Sequence, residues 1–256
     1  NSVEILEVMF GIVKAGCCVV PLSGLLTGQQ LASLINDCGA KAFITSKYKT
    51  EQAQQVVATT PNVGLRLMLD GVIDKYDSYE SVVDKAPETP IENRVDGVDM
   101  LYSSGTTGRP KGIKLGLSMS PLGTPTSLSA LCGMLFGIDK DATYLSPAPL
   151  YHAAPLRFNM AVHRLGGTTV IMEHFDAEQY LALVQHYRVT HSQLVPTMFS
   201  RMLKLPDEVR TRYDLSSLRH VPYGSEMMPA PKIAEAIRRF GPIFQQGYGC
   251  LEALPP

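Results

Sequence analysis

Residues 101–115, "LYSSGTTGRPKGIKL", gather groups suited to handling negative charge. From Ser103 to Gly112 there is no large apolar side chain. The run supplies three glycines, the hydroxyls of Ser103, Ser104, Thr106 and Thr107, and the cations Arg109 and Lys111 on either side of Pro110. Gly105 and Gly108 allow positive φ and close approach of the backbone to a bulky ligand. Successive N–H groups in such a turn form an anion nest, and hydroxyls and cations add charge-assisted donors. Together they suit a polyphosphate. A polar hairpin tip is the plain alternative, and composition alone leaves it open. The spacing GxxGxxK is not the Walker pattern GxxxxGK[ST], which must open a helix at the phosphate. Here "GIKL" and a Gly/Pro-rich tail follow, and the expected shape is strand–loop–strand.

Such a loop needs a scaffold, and strand-like and helix-like segments alternate through most of the chain. The first residues are helical in pattern from Val3. "CCVVPL" (17–22) reads as a buried strand, 27–39 as a helix capped by Thr27, and "KAFITS" (41–46) as a strand. A helix near 50–58, a strand at 65–70, a short helix near 78–85 and a polar linker at 88–97 come next. Residues 116–125 are irregular, and a helix at about 126–135 leads to a strand at 143–149. Further strands are expected at 168–172, 190–195, 218–224 and 242–247, with helices near 153–165, 176–187, 196–204 and 229–239. This order implies βαβ crossovers: an α/β fold whose mostly parallel sheets are covered by helices. The stretch from Ala15 to Thr45 shares its layout with that from Gly166 to Leu194. Two similar βαβ lobes, 1–140 and 141–256, are one reading of this likeness; the generic similarity of all βαβ units is the other.

The chain has 256 residues, 45% hydrophobic and 18% charged, with a net charge of −1. That is enough for a large core, and no global field attracts nucleic acid. No apolar run reaches the eighteen or so residues of a membrane span. The five cysteines, Cys17, Cys18, Cys38, Cys132 and Cys250, are odd in number and form no CxxC pair. They make a poor disulfide framework or zinc site, and the expectation is buried free thiols in a reducing, cytoplasmic setting. The start at Asn1 and the close on "LEALPP" suggest a piece of something longer.

The long signature "YSSGTTGRPKG" closely resembles the phosphate loop of the adenylate-forming superfamily of acyl- and aryl-CoA synthetases, luciferases and peptide-synthetase adenylation domains. Three further segments agree in order. "PLYHAAP" (149–155) resembles the family's acyl-site segment, "YGSEMMP" (223–229) its adenine-lining turn, and "QGYGCLE" (246–252) its aromatic-Gly-x-Thr-Glu motif. The likeness extends over residues 1–252, with wording most like bacterial acyl-CoA synthetases. It implies the incomplete large N-terminal domain of such an enzyme, which uses ATP, Mg2+ and CoA to turn a carboxylic acid into an acyl-adenylate and then a thioester. Carried over by motif, Ser103, Ser104, Gly105, Thr106, Thr107, Gly108 and Lys111 hold the phosphates. Gly224, Ser225, Glu226, Tyr248 and Gly249 border the adenine. Glu252 coordinates Mg2+ with Thr106, and His152 stands beside the reacting carboxylate. The other five histidines read as structural. Arg157 and Phe158 fit either an acyl-pocket border or packing. "PLYHAAPLRF" lacks the acid that amino-acid-activating relatives carry, which favours a fatty or aromatic acid.

Two departures stand out. Leu251 replaces the motif's Thr, so one hydroxyl donor is lost, about 1–3 kcal/mol at a buried site. The family's C-terminal domain, with its adenylation lysine, is expected to be absent after Glu252. A catalytically silent ATP- or acyl-binding module is therefore the main alternative, and a kinase-like ATPase a weaker one. The particular acid and the oligomeric state are not legible.

Overall fold

The computed structural model describes residues 1–92, 94–103, 110–117 and 120–247. In chain order the elements begin with α1 (Val3–Lys14), β1 (Cys18–Val19), α2 (Gly28–Asp37) and β2 (Ala42–Ser46). Then come α3 (Thr50–Val57), β3 (Leu65–Leu69), β4 (Asp77–Ser78), α4 (Tyr79–Asp84), β5 (Val98–Asp99), β6 (Leu101–Ser103) and β7 (Lys111–Ile113). The remainder is α5 (Ser127–Phe136), β8 (Thr143–Ser146), α6 (Ala153–Arg164), β9 (Thr168–Ile171), α7 (Ala177–Tyr187) and β10 (His191–Ser192). It closes with α8 (Pro196–Leu203), α9 (Asp207–Arg210), β11 (Val221–Tyr223), α10 (Ala230–Phe240) and β12 (Phe244–Gln246).

The expected alternation is therefore present, and among the described residues every ladder but one is parallel. The exception is β6·β7, antiparallel with Ser103 opposite Lys111, which is the strand–loop–strand base expected around residues 104–110. The two compact units are Leu22–Glu92 and, discontinuously, Asn1–Pro21 with Asn93–Pro256. That division differs from a boundary at residue 140. Its cause is the β1·β5 ladder, in which Cys18 pairs with Val98 and Val19 with Asp99, so the N-terminal helix and strand belong with the later chain.

In the unit Leu22–Glu92, β2, β3 and β4 form a parallel sheet. The start of α2 follows from Thr27, whose side chain accepts from the Gln30 N–H while Gln30 caps the Thr27 N–H in return. This reciprocal box satisfies two of the donors that every helix start leaves open. Leu31, Ala32 and Ile35 then fall on the face that packs with Val56 of α3 and with Val63.

In the other unit, β10, β8 and β9 form one sheet. The bridges His191↔His220 and Leu194↔Tyr223 carry it on to β11 and β12. The two faces of β8 show why both sides are covered. Tyr144 packs with Cys132 of α5 and with Ala161 and Val162 of α6, and neighbouring Leu145 packs with the cluster of α7, α8 and α10. Phe158 settles into the first of these clusters, its ring 6.2 Å from Tyr144 and 6.0 Å from Phe136. It is a packing residue.

The cysteines differ from expectation. Cys132 is buried, Cys38 is intermediate, and Cys17 and Cys18 are exposed; Cys250 lies outside the described residues. The two-residue β1 turns only Val19 into the core, so an apolar-looking run did not make a buried strand. No helix among the described residues is long and apolar enough to cross a membrane.

Candidate active site

Three of the segments singled out from sequence leave the same edge of the parallel ladder. Residues 147–152 follow β8, Gly224 follows β11, and Gly247 follows β12. Open parallel sheets bind ligands outside the carboxyl ends of their strands, because the connections there diverge and leave a crevice.

After β8, Leu150 is almost fully buried and anchors the turn. His152 then becomes the N-cap of α6 with extended backbone, φ −90° and ψ 151°, and without a side-chain capping bond. Its N–H donates to the Pro149 carbonyl at 3.2 Å, and its own carbonyl accepts the Leu156 N–H at 3.1 Å. The backbone is thus tied on both sides while the imidazole is left for other work. The Tyr151 ring lies 4.4 Å away, centroid to centroid. The residue is exposed, yet partial burial of its ring holds the pKa below the usual histidine value. At neutral pH it is an uncharged donor and acceptor.

After β11, the chain makes a tight turn against β12. Tyr223 pairs with Gln246, and the Gly247 N–H donates to the Tyr223 carbonyl at 2.8 Å. A Cβ on Gly224 would stand 3.0 Å from the Gly247 carbonyl oxygen, so a side chain there would press the two strand ends apart by a few tenths of an ångström. Ser225 follows with φ 71°, a left-handed conformation uncommon for a residue with a side chain and often found at functional turns. Glu226 is exposed in the same turn, and buried Met228 fixes its far end before α10.

The β6·β7 hairpin places Ser103 directly opposite Lys111, and the Ser103 hydroxyl reaches toward the Lys111 carbonyl at 3.5 Å. Lys111 is exposed, and its ammonium forms no ion pair among the described residues. Ser104, Gly105, Thr106, Thr107, Gly108 and Arg109 lie outside the described residues, as do Tyr248, Gly249, Leu251 and Glu252. The structure therefore pairs Ser103 with Lys111 and gathers Gly224, Ser225 and Glu226 into one turn beside Gly247. It sets His152 at the end of β8 in the same ladder.

Arg157 proves to be a buried ion-pair residue. Its Nη2 donates to Asp99 Oδ2 at 2.9 Å and its Nε to the same oxygen at 3.1 Å, with both side chains under 10% exposed. Two turns on, Arg164 engages Asp96 through Nη2 at 3.0 Å and Nη1 at 3.1 Å. Neither pair was read from sequence. The available signal was two arginines seven apart on one helix, and two aspartates three apart in "DGVD".

Comparison with known proteins gives the family and the fold. The feruloyl-CoA synthase of an Amycolatopsis species is 35% identical over 261 residues, covering 100% of this chain and 48% of that enzyme. The medium/long-chain-fatty-acid–CoA ligase FadD8 of Mycobacterium tuberculosis is 36% identical over 159 residues, 61% of this chain and 26% of that protein. The chain thus spans about half or less of the length of these curated relatives. Among solved structures, the amide bond synthetase McbA of Marinactinospora thermotolerans superposes with a TM-score of 0.80 at 23% identity, over 99% of this chain and 49% of that one. The family model described as AMP-binding enzyme matches residues 1–256. With that model matched from the first residue to the last, the chain belongs to the AMP-binding enzyme family.

Proposed function

We propose that the protein containing this chain is an acyl-CoA synthetase that activates a fatty or aromatic carboxylic acid with ATP and passes the acyl group to CoA. The observation that carries the reading is the hairpin that sets Ser103 against Lys111, in a chain whose relatives are named as ligases of fatty, ferulic and indoleacetic acids with CoA. Lys111 and the 103–108 hydroxyls and amides neutralise charge that builds on the phosphates as the carboxylate attacks. Electrostatic stabilisation of this kind is the main lever in phosphoryl-group chemistry. Gly224, Ser225 and Glu226 border the adenine, with Tyr248 and Gly249 from the following strand end. His152, uncharged and backbone-tied, orients the acid. Glu252 and Thr106 would hold Mg2+, which would supply further charge neutralisation, a role suited to a hard oxygen-seeking ion.

The acid is not an amino acid in this reading. The carboxylate that α6 meets at Arg157 is Asp99, already engaged by the guanidinium, and no free acid in 149–158 offers a partner for an ammonium. The test is ATP–pyrophosphate exchange by the intact protein across a panel of fatty, aromatic and amino acids. Exchange dependent on a fatty or aromatic acid is expected, and exchange with none of them overturns the proposal. A second reading, a silent nucleotide-binding module, is favoured by Leu251 at the position of the motif threonine. It predicts ATP binding by calorimetry with no exchange at all.

A further inference from the structure

Helix α6 carries His152 at its N-cap, and the segment 96–103 runs into the hairpin that carries Ser103 and Lys111. Two ion pairs join them in opposite order along the chain: Arg157 with Asp99, and Arg164 with Asp96. The seven-residue step from Arg157 to Arg164 rises about 10.5 Å along a helix. The three-residue step from Asp96 to Asp99 can reach about 10 Å. The lengths match, so both pairs close without bending either element, and two points fix both the height and the direction of the helix.

The space between the pairs is not close-packed. It is a narrow cleft lined by Val98, Thr126, Leu128, Met160 and Ala161. The two ion pairs therefore brace the helix at a place where apolar side chains leave a gap. The strand side of this ladder is itself held tightly. The Gly97 N–H donates to the Val13 carbonyl at 2.8 Å, and any side chain at Gly97 would collide with the Cys17 carbonyl. On the other side of the Arg157–Asp99 pair, Leu101 and Leu156 meet in one buried cluster. Beyond that cluster lie Ser103 on the strand and His152 on the helix.

We infer that Arg157, Asp99, Arg164 and Asp96 are positioning residues: a two-rung ionic ladder that fixes the height of His152 relative to the phosphate hairpin. The inference rests on the activity proposed above. A buried pair replaced by apolar residues of similar size commonly costs little stability, which separates positioning from mere folding. Misplacing a reacting group by about 1 Å can cost roughly 100-fold in rate.

The experiment is the double replacement Asp99→Leu/Arg157→Met in the intact protein, with Arg157→Lys beside it. The lysine keeps the charge and loses the forked contact. Expected for the double variant are a retained thermal midpoint, ATP affinity by calorimetry within about twofold of wild type, and acid-dependent exchange lowered about 10-fold or more in kcat. Arg157→Lys should fall between, and it carries the kinetic test if the double variant does not fold. A crystal structure of whichever variant folds should show His152 displaced from Ser103 by about 0.5 Å or more, the tolerance of a working site. Wild-type kcat in a folded variant, or an unmoved His152, overturns the inference. If the wild-type protein exchanges with no acid, the proposed activity falls, and the displacement alone decides the ladder.

Discussion

At the scale of single residues, the site separates groups that can be removed without harm to the fold from groups that cannot. Lys111 is exposed and stands at the start of a three-residue strand. Lys111→Ala should therefore leave the thermal midpoint unchanged while lowering pyrophosphate exchange about 100- to 1,000-fold, the usual loss for one transition-state donor. Undiminished exchange would remove the hairpin from the mechanism. Asp99→Ala is the opposite case. It removes the Asp99 carboxylate from the Arg157 guanidinium in a site under 10% exposed, and breaking a buried ion pair costs about 3–5 kcal/mol. Urea unfolding should show that loss, far more than Lys111→Ala produces. Lys111 was legible in the sequence because a loop declares its chemistry through consecutive residues. The Asp99–Arg157 pair was not, because its partners stand 58 positions apart and each, taken alone, looks like an ordinary surface charge.

At the scale of elements, local signals and long-range ones part company. The α2 start was readable from Thr27 because a capping box is written within four residues. Thr27→Ala should destabilise the unit Leu22–Glu92 by about 1 kcal/mol, visible in denaturant melts, with pyrophosphate exchange unaltered. The helices at 153–164, 177–187 and 230–240 were equally plain from their periodicity. The strand β5, just past the polar linker 88–97, was not read, because its pairing is dictated by Cys18 and Val19 far earlier in the chain. The run from Cys17 suggested burial and gave two exposed thiols, since β-prone residues say nothing about which face a neighbour will cover. The turn after β11 was assigned by resemblance, and its geometry adds a reason. Gly224→Ala would push a methyl against the Gly247 carbonyl, separating two strand ends. Nucleotide affinity measured by calorimetry should fall, while the far-UV dichroism stays native.

At the scale of the whole molecule, three partly buried histidines link stability to acid. Burial holds His152, His163 and His191 below the ordinary histidine value of 6.5. The unfolded chain then takes up protons that the folded chain refuses. This contribution to stability is complete above about pH 6.5 and drains away as pH falls through the lowered folded values. Thermal melts from pH 7.5 to 5 should show a falling midpoint. His191, whose ring nitrogens meet Thr190 and the Phe136 carbonyl at 2.7 Å each, should account for part of the slope. A His191→Asn variant should start lower and decline less steeply, and an unchanged slope would remove His191 from the account. The discontinuous unit has a consequence of a different kind, in time. During synthesis β1 emerges about eighty residues before Val98, its partner in the ladder. At roughly 5–20 residues per second that is a wait of about 4–16 s. In that interval Leu22–Glu92 emerges whole, with its own sheet and core. The ribosome thus delivers the core of Leu22–Glu92 while β1 still lacks its partner strand. Only when the polar stretch through Asp99 appears can the N-terminal strand find its place.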